Sequence, residues 1–433
     1  MASPWSHTVQ RTHTGELSVG SVAVRELASQ YGTPLWVLDE TDLRQRCRAY
    51  REAFSGASVT YASKAWCNRA VLQIINEEGL HVDVASGGEL FTALKAGVDP
   101  ARIVFHGNNK SKTELCEALD VGVGRIVVDS LDELARLNAL AGQRDESVDV
   151  WLRITPGIDA HTHDYVRTGH DDQKFGFSIA LGLADEAFAR AIDATHVNVV
   201  GAHAHIGSQI FGVEPFVANA QIMIELLHRW RETFGVTLTE LNLGGGMGIA
   251  YTPDDDPVDV DAFGQAVRQA VNEACETFAF PTPALFVEPG RALVAPTTLT
   301  LYEIGTIKAL PGLTTWVSID GGMSDNIRPS LYGAVHDVTL ASRLSDAPQS
   351  TVTIVGKHCE NGDLIRESVD LPADLAVGDL LAIAGTGAYT ASMASNYNRL
   401  PRPAAVAVAN GEVRVVQHRE TYADLMRLDG DFA

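Results

Sequence analysis

The chain has 433 residues, 45% of them hydrophobic and 20% charged, with 55 acidic against 33 basic residues and a formal charge of −22. That length suits a large catalytic domain joined to a second one, and the composition is that of an ordinary soluble globular protein. An acidic surface of this size repels phosphate backbones and argues against nucleic-acid binding. No apolar run approaches the ~18 residues that a membrane span needs, and Met1-Ala-Ser-Pro-Trp-Ser-His7 lacks the order of a signal peptide, so no membrane partner and a cytoplasmic location are expected. Five scattered cysteines (Cys47, Cys67, Cys116, Cys275, Cys359) contain no C-x-x-C pair, which argues against a disulfide framework or a structural zinc site. One of them can still serve chemistry.

Residues 1–40 hold short apolar alternations such as Leu35-Trp-Val-Leu38, which read as strands that dock onto something larger. Residues 41–54 open with capping residues and predict a helix. Eight β-branched runs then follow: Val59–Ser63, Val82–Ser86, Ile103–Gly107, Arg125–Ser130, Val148–Thr155, Val197–Ile206, Leu238–Gly244 and Ala284–Glu288. The stretches between them carry helical periodicity, as in Val71, Ile74 and Ile75 or Met223, Leu226, Leu227 and Trp230. Alternating strands and helices in this number predict a closed (β/α)8 barrel of the TIM type over residues 41–294. After about residue 295, runs such as Trp316–Asp320, Val352–Val355, Leu380–Ala384 and Ala404–Ala409 predict a mostly β domain, residues 295–433 together with 1–40.

Polar residues gather where the predicted strands end. Lys64, Ser86, His106, Arg153, His205, the Gly244–Gly246 run and Glu288 all lie at or near a strand C-terminus, the face on which barrel active sites lie. Lys64 ends the run Val59-Thr-Tyr-Ala-Ser63 and is either a Schiff-base nucleophile or a solvated lysine at a strand end. The glycines 244–246 either cradle an anion or form a tight turn. Glu288, followed by Pro289-Gly290-Arg291, suits a general base, a metal ligand or the partner of a protonated ring nitrogen. His203 and His205 invite a zinc reading without an obvious third ligand, and His205 serves equally well as a ring stacked on a flat cofactor. His161, His163, His170 and Asp172 have metal-like spacing in a polar segment that reads better as a solvated or lid-like loop. In the second domain, Arg328 and Tyr332 stand four residues apart, Cys359 adjoins Glu360, and Tyr389 follows two glycines. Each of these alone is more often a turn than a site.

The set Tyr61-Ala-Ser-Lys64-Ala, His106-Gly-Asn-Asn-Lys-Ser111, His205-Ile-Gly-Ser-Gln209, Gly244–Gly246, Glu288-Pro-Gly-Arg291, Asp320-Gly-Gly-Met, Cys359-Glu360 and Gly385-Thr-Gly-Ala-Tyr389 resembles the diaminopimelate decarboxylase family, among the barrel-type pyridoxal-phosphate decarboxylases. The resemblance runs from about residue 15 to the end, in order; single motifs are shared with ornithine and arginine decarboxylases. It implies pyridoxal 5'-phosphate held by Lys64, His205 stacked on its ring, and Ser208, Gly246, Gly290 and Arg291 about its phosphate, with Arg291 also near the substrate. It further implies that Glu288 pairs with the ring nitrogen, that Arg328, Tyr332 and Glu360 hold the substrate, that Tyr389 touches both, and that Cys359 is the proton donor. No metal is implied. A homodimer with shared active sites follows from the family's Cys-Glu loop, and the expected reaction turns meso-2,6-diaminopimelate into L-lysine and CO2, the last step of lysine biosynthesis. Rivals are a decarboxylase of ornithine, arginine or carboxynorspermidine, an amino-acid racemase, and a non-catalytic cofactor carrier. One departure is Ala65-Trp66-Cys67-Asn68, where relatives often place asparagine or phenylalanine straight after the alanine; no catalytic group is missing.

Overall fold

The computed structural model describes residues 3–158 and 174–431; the histidines at 161, 163 and 170 and Asp172 lie outside the described residues. The chain forms two compact units, one of Arg46–Gly248 with Pro257–Ala292, the other of Met1–Gln45, Ile249–Asp256 and Leu293–Ala433.

The first unit is the expected barrel. Its strands are β1 (Ser58–Ala62), β2 (His81–Val84), β3 (Ile103–Phe105), β4 (Arg125–Val128), β5 (Val148–Thr155), β6 (Val197–Ala204), β7 (Glu240–Asn242) and β8 (Ala284–Val287). Each pairs in parallel with the next, and β8 returns to β1 through Phe286↔Ser58 and Val287↔Val59, which closes the ring. Closure leaves no unpaired edge. Val104, Val127 and Trp151 fill the interior with Val200 and Phe286. At the N-terminal end of the strands, Glu240 Oε2 accepts from Trp151 Nε1 at 2.7 Å and from Arg125 Nε at 2.7 Å. The tryptophan thus buries its apolar body while its N–H stays satisfied. This end of the barrel holds the unit together, and the other end is left for chemistry.

Most of the strands stop about two residues short of their predicted C-termini, for a local reason. Ser86 and Ser130, read as strand ends, accept from the backbone N–H of Glu89 and Glu133 and cap the following helices, Gly87–Lys95 and Leu131–Gly142. Ser111 forms a full capping box with Glu114. A serine three residues before a glutamate starts a helix rather than extending a strand. The helical stripes behave as read: Val71, Ile74 and Ile75 are buried in Arg69–Glu77, as are Met223, Leu226, Leu227 and Trp230 in Glu214–Phe234.

The second unit is mostly β. Its spine is the twelve-residue strand Thr298–Ala309, not among the runs singled out from sequence. That strand pairs with Leu35–Asp39, Leu380–Ile383 and Thr315–Ile319 along its length. The N-terminal strand Leu35–Asp39 lies between it and Ala404–Ala409, so residues from both chain ends share one sheet. Two buried clusters result, one around Leu35, Val37, Leu301 and Val406, the other around Tyr302, Ile304, Val317 and Ile354.

Candidate active site

In the barrel unit, Glu288 is a buried carboxylate on which three side-chain donors converge. It follows β8 directly and is 7% exposed. Oε1 accepts from His106 Nε2 at 2.8 Å and from Asn242 Nδ2 at 2.7 Å; Oε2 accepts from His203 Nε2 at 3.0 Å. Burial opposes the ionised form, yet the two imidazoles and their hydrogen bonds hold the carboxyl well below the usual range. Burial also pushes His106 down and His203 down to about 4, so both rings are neutral near pH 7. The donors come from two strands and from the residue that follows a third. His203 and Asn242 are register partners across β6 and β7, while His106 follows β3 and packs edge-on against His203 at 4.8 Å.

His106, His203 and Glu288 offer ligand atoms within 4.8 Å of one another, so the third partner that the His203 zinc reading lacked is present in space. His205 is not part of that group. Its Nδ1 accepts from Gly245 N at 3.4 Å, which leaves any ring proton on Nε2. Burial, then the charges of Lys64 and Arg153, push this ring down to about 3. A neutral, buried-edge imidazole is suited to lie flat on an aromatic ligand.

Lys64 leaves β1 within a single turn, Ser63–Ala65, and is exposed while Tyr61, Ala62, Ser63, Ala65 and Trp66 are buried. Its backbone is held from both sides. Ser63 N donates to Asp83 Oδ1 at 3.0 Å, and the Tyr61 hydroxyl accepts from Trp66 N and donates to Trp66 O, each at 3.2 Å. Asp83, buried at the end of β2, is raised well above its usual range by burial and by the charge of Glu288. Trp66, where relatives often have another residue, is 2% exposed, and its backbone makes both bonds to the Tyr61 hydroxyl.

The glycine run after β7 is required by space. A Cβ on Gly245 would lie 2.0 Å from the Glu288 carbonyl oxygen, and Gly246 has φ +126° with its Cβ position 2.4 Å from Gly207 O. Neither neighbour can yield, because both are backbone. The run is thus a close crossing between the ends of β6 and β8, and two of its amides are taken by side chains, Gly244 N by Asn242 Oδ1 at 2.8 Å and Gly245 N by His205 Nδ1 at 3.4 Å. Gly290 presses on Ala62 at the end of β1. Arg291 opens the short helix after β8, and its Nη2 donates to Ser208 Oγ at 2.9 Å. Ser208 and Arg291, both read as phosphate ligands, are therefore brought together.

In the second unit, Arg328 is buried at the start of the helix Arg328–Tyr332, with its guanidinium carbon 5.5 Å from the ring of Tyr251, 5.7 Å from Tyr332 and 5.8 Å from Tyr389. Three aromatic rings around one guanidinium fix its direction. Tyr389 itself has φ +60°, a left-handed conformation that costs a bulky residue free energy and marks it as imposed by its surroundings. Cys359 and Glu360 occupy an exposed turn. Below that turn lies a buried network. Asp363 accepts from His358 N at 2.9 Å, from His358 Nδ1 at 2.7 Å and from Met323 N at 2.7 Å. A Cβ on Gly322 would lie 2.5 Å from Asp363 Oδ1, and one on Gly356 would lie 2.1 Å from Oδ2. The Asp320-Gly-Gly-Met motif therefore wraps the carboxylate that anchors the Cys359 turn.

Sequence reasoning marked Lys64, His205 and Glu288 but passed over His203's partner role, Asn242, Asp83 and Asp363. The available signal was a histidine, an asparagine and an aspartate inside otherwise apolar strands, where polar side chains are rare unless paired.

A family model described as pyridoxal-dependent decarboxylase, pyridoxal binding domain, matches residues 40–295. Diaminopimelate decarboxylase from Bacillus subtilis is 46% identical over 429 residues, covering 98% of each chain. The enzyme of that name from Mycobacterium tuberculosis is 47% identical over 434 residues, covering 98% of this chain and 97% of the relative. A crystal structure of diaminopimelate decarboxylase from M. jannaschii in complex with L-lysine superposes with a TM-score of 0.93 at 34% identity, covering 98% of both chains.

Proposed function

The chain belongs to the pyridoxal-dependent decarboxylases, in the branch of diaminopimelate decarboxylases, and from that premise we infer that it converts meso-2,6-diaminopimelate into L-lysine and CO2, the last step of lysine biosynthesis. The observation that carries the reaction class is Glu288: a buried carboxylate held ionised at the end of β8 suits the protonated nitrogen of a pyridine ring. Pyridoxal 5'-phosphate, when bound, supplies the electron sink for the pair left behind as CO2 departs. The substrate rests on different ground. The family model stops at residue 295, whereas the relatives match across the second unit as well, where Arg328 and Glu360 lie.

The barrel, residues 41–294, binds the cofactor. Lys64 Nζ tethers it, His205 lies against its ring, and Glu288 holds a proton on its nitrogen. Ser208, Gly246, Gly290 and Arg291 take the phosphate, a reading supported by the Arg291–Ser208 contact at 2.9 Å. Residues 1–40 and 295–433 supply the substrate groups and the dimer contact. Arg328 takes a carboxylate with the fork geometry of its guanidinium, assisted by Tyr332 and Arg291, and Glu360 takes an ammonium. Tyr389 touches cofactor and substrate. The Cys359 thiol returns a proton to the carbon that has lost CO2. Cys359, Glu360 and Tyr332 are exposed in the single chain, which supports a homodimer in which a second copy covers them and shares its site. All five cysteines are free thiols, which supports a reducing, cytoplasmic setting.

The test is turnover of the purified protein loaded with pyridoxal 5'-phosphate, with lysine and CO2 both assayed. Equimolar lysine and CO2 from meso-diaminopimelate is the expected result. Faster turnover of ornithine would sink the substrate assignment and leave the cofactor assignment standing.

A further inference from the structure

A carboxylate has about four lone-pair positions for hydrogen-bond donors. In Glu288 three of them are filled: two on Oε1, by His106 and Asn242, and one on Oε2, by His203. We propose that His106, His203 and Asn242 are positioning residues that leave Glu288 one acceptor position, on Oε2, and a negative charge with which no Lys or Arg among the described residues forms a salt bridge, Arg153 acting on it only from further off, for the ring nitrogen of the cofactor; the proposal rests on the pyridoxal reading above.

Chemistry distinguishes this set from a salt bridge. An arginine or lysine at any of the three positions would satisfy Glu288 and also neutralise it, leaving no charge to hold a pyridinium. Neutral N–H donors stabilise the anion while its charge persists. A second hydrogen bond fixes the orientation of Asn242, while His203, whose Nδ1 is buried without a hydrogen-bond partner, is held by ring packing. Asn242 Oδ1 accepts from Gly244 N at 2.8 Å, so its amide nitrogen must face the carboxylate. The rings of His106 and His203 hold each other edge to face at an interplanar angle of 71°. Burial keeps both imidazoles neutral, which is what the arrangement needs. A divalent cation on His106, His203 and Glu288 is a weaker reading, since Asn242 Nδ2 points an N–H at Oε1 and would oppose a metal bound there.

The experiment uses holoenzyme carrying cofactor labelled with 15N in the ring, in wild type and in His203→Leu, His203→Gln and His106→Leu. The ring-nitrogen chemical shift is expected to report a protonated ring in wild type and in His203→Gln, which restores a neutral N–H donor, and a deprotonated ring in the two leucine variants. In parallel, affinity is measured for pyridoxal phosphate and for its 1-deaza analogue, which has carbon in place of the ring nitrogen. Loss of one charge-assisted contact should weaken pyridoxal phosphate by about tenfold or more in the leucine variants and leave the analogue unchanged. Equal weakening of both ligands, or a ring protonated alike in wild type and both leucine variants, overturns the proposal and reduces these residues to packing. A wild type that takes up no pyridoxal phosphate overturns the family reading, and this proposal with it.

Discussion

Replacing Asp363 by alanine tests whether the Cys359 turn is held from below. The Asp363 carboxylate is 3% exposed and accepts three hydrogen bonds of 2.7–2.9 Å, two from backbone N–H groups and one from the His358 ring. Each bond to a charged acceptor contributes at least about 1.5 kcal/mol, and removing the acceptor strands donors in a dry site, so the loss should reach about 4 kcal/mol. Because the chain has two units, a single global unfolding curve would blur this cost. Native-state hydrogen exchange at the amides of Met323 and His358 reads it directly. Protection there should fall by roughly a thousandfold, at about 1.4 kcal/mol per decade, while amides of β3 and β4 stay as they were. Decarboxylation should collapse with it and cofactor absorbance should not, since no cofactor group lies in this loop. Unchanged protection at both amides, or full turnover, would show that the turn is held by something else.

The other predictions are shorter. Cys359→Ala should cut turnover sharply with the cofactor spectrum intact; full activity would remove Cys359 as the proton donor. Gly245→Ala forces a methyl group into the Glu288 carbonyl and should weaken cofactor binding more than Gly430→Ala, which meets nothing within 4 Å; equal effects would refute the close-crossing account of the glycine run. Two buried groups, His203 in the barrel unit and Asp325 in the second, should respond to acid with opposite sign. His203 is depressed to about 4, so its contribution to the barrel, about 3 kcal/mol, is complete above pH ~6.5 and lost as pH falls toward 4. Burial pushes Asp325 up to about 7, so its contribution to the second unit, about 4 kcal/mol, is complete below pH ~3.8 and lost as pH rises through 7. Hydrogen exchange followed by peptide mass at pH 5 and 7, corrected for intrinsic rates, reads the two sites separately through the peptides that carry His203 and Asp325; parallel shifts in those two peptides would contradict these assignments.

The barrel was legible because its signal is local: β-branched runs of four to eight residues alternating with 3.6-period helices need no knowledge of distant partners. Lys64, His205 and Glu288 were legible for a related reason, since a polar residue ending an apolar strand is conspicuous in one dimension. Boundaries were less so. Ser86 and Ser130 satisfy strand and helix-cap patterns alike, and only the hydrogen bonds to Glu89 and Glu133 decide between them. What sequence could not supply was the support behind each marked residue. Asn242 serves Glu288 from 46 positions away, His106 from 182, and Met323 meets Asp363 from 40. None of these pairs has a spacing rule, because each is created by barrel closure or by the wrapping of a loop. The Asp320-Gly-Gly-Met motif shows the consequence. Read along the chain it is a turn beside a candidate arginine; in space its glycine makes room for the carboxylate beneath Cys359. A motif in this protein therefore names two kinds of residue, those that do chemistry and those that hold them, and only the partner atom tells which is which.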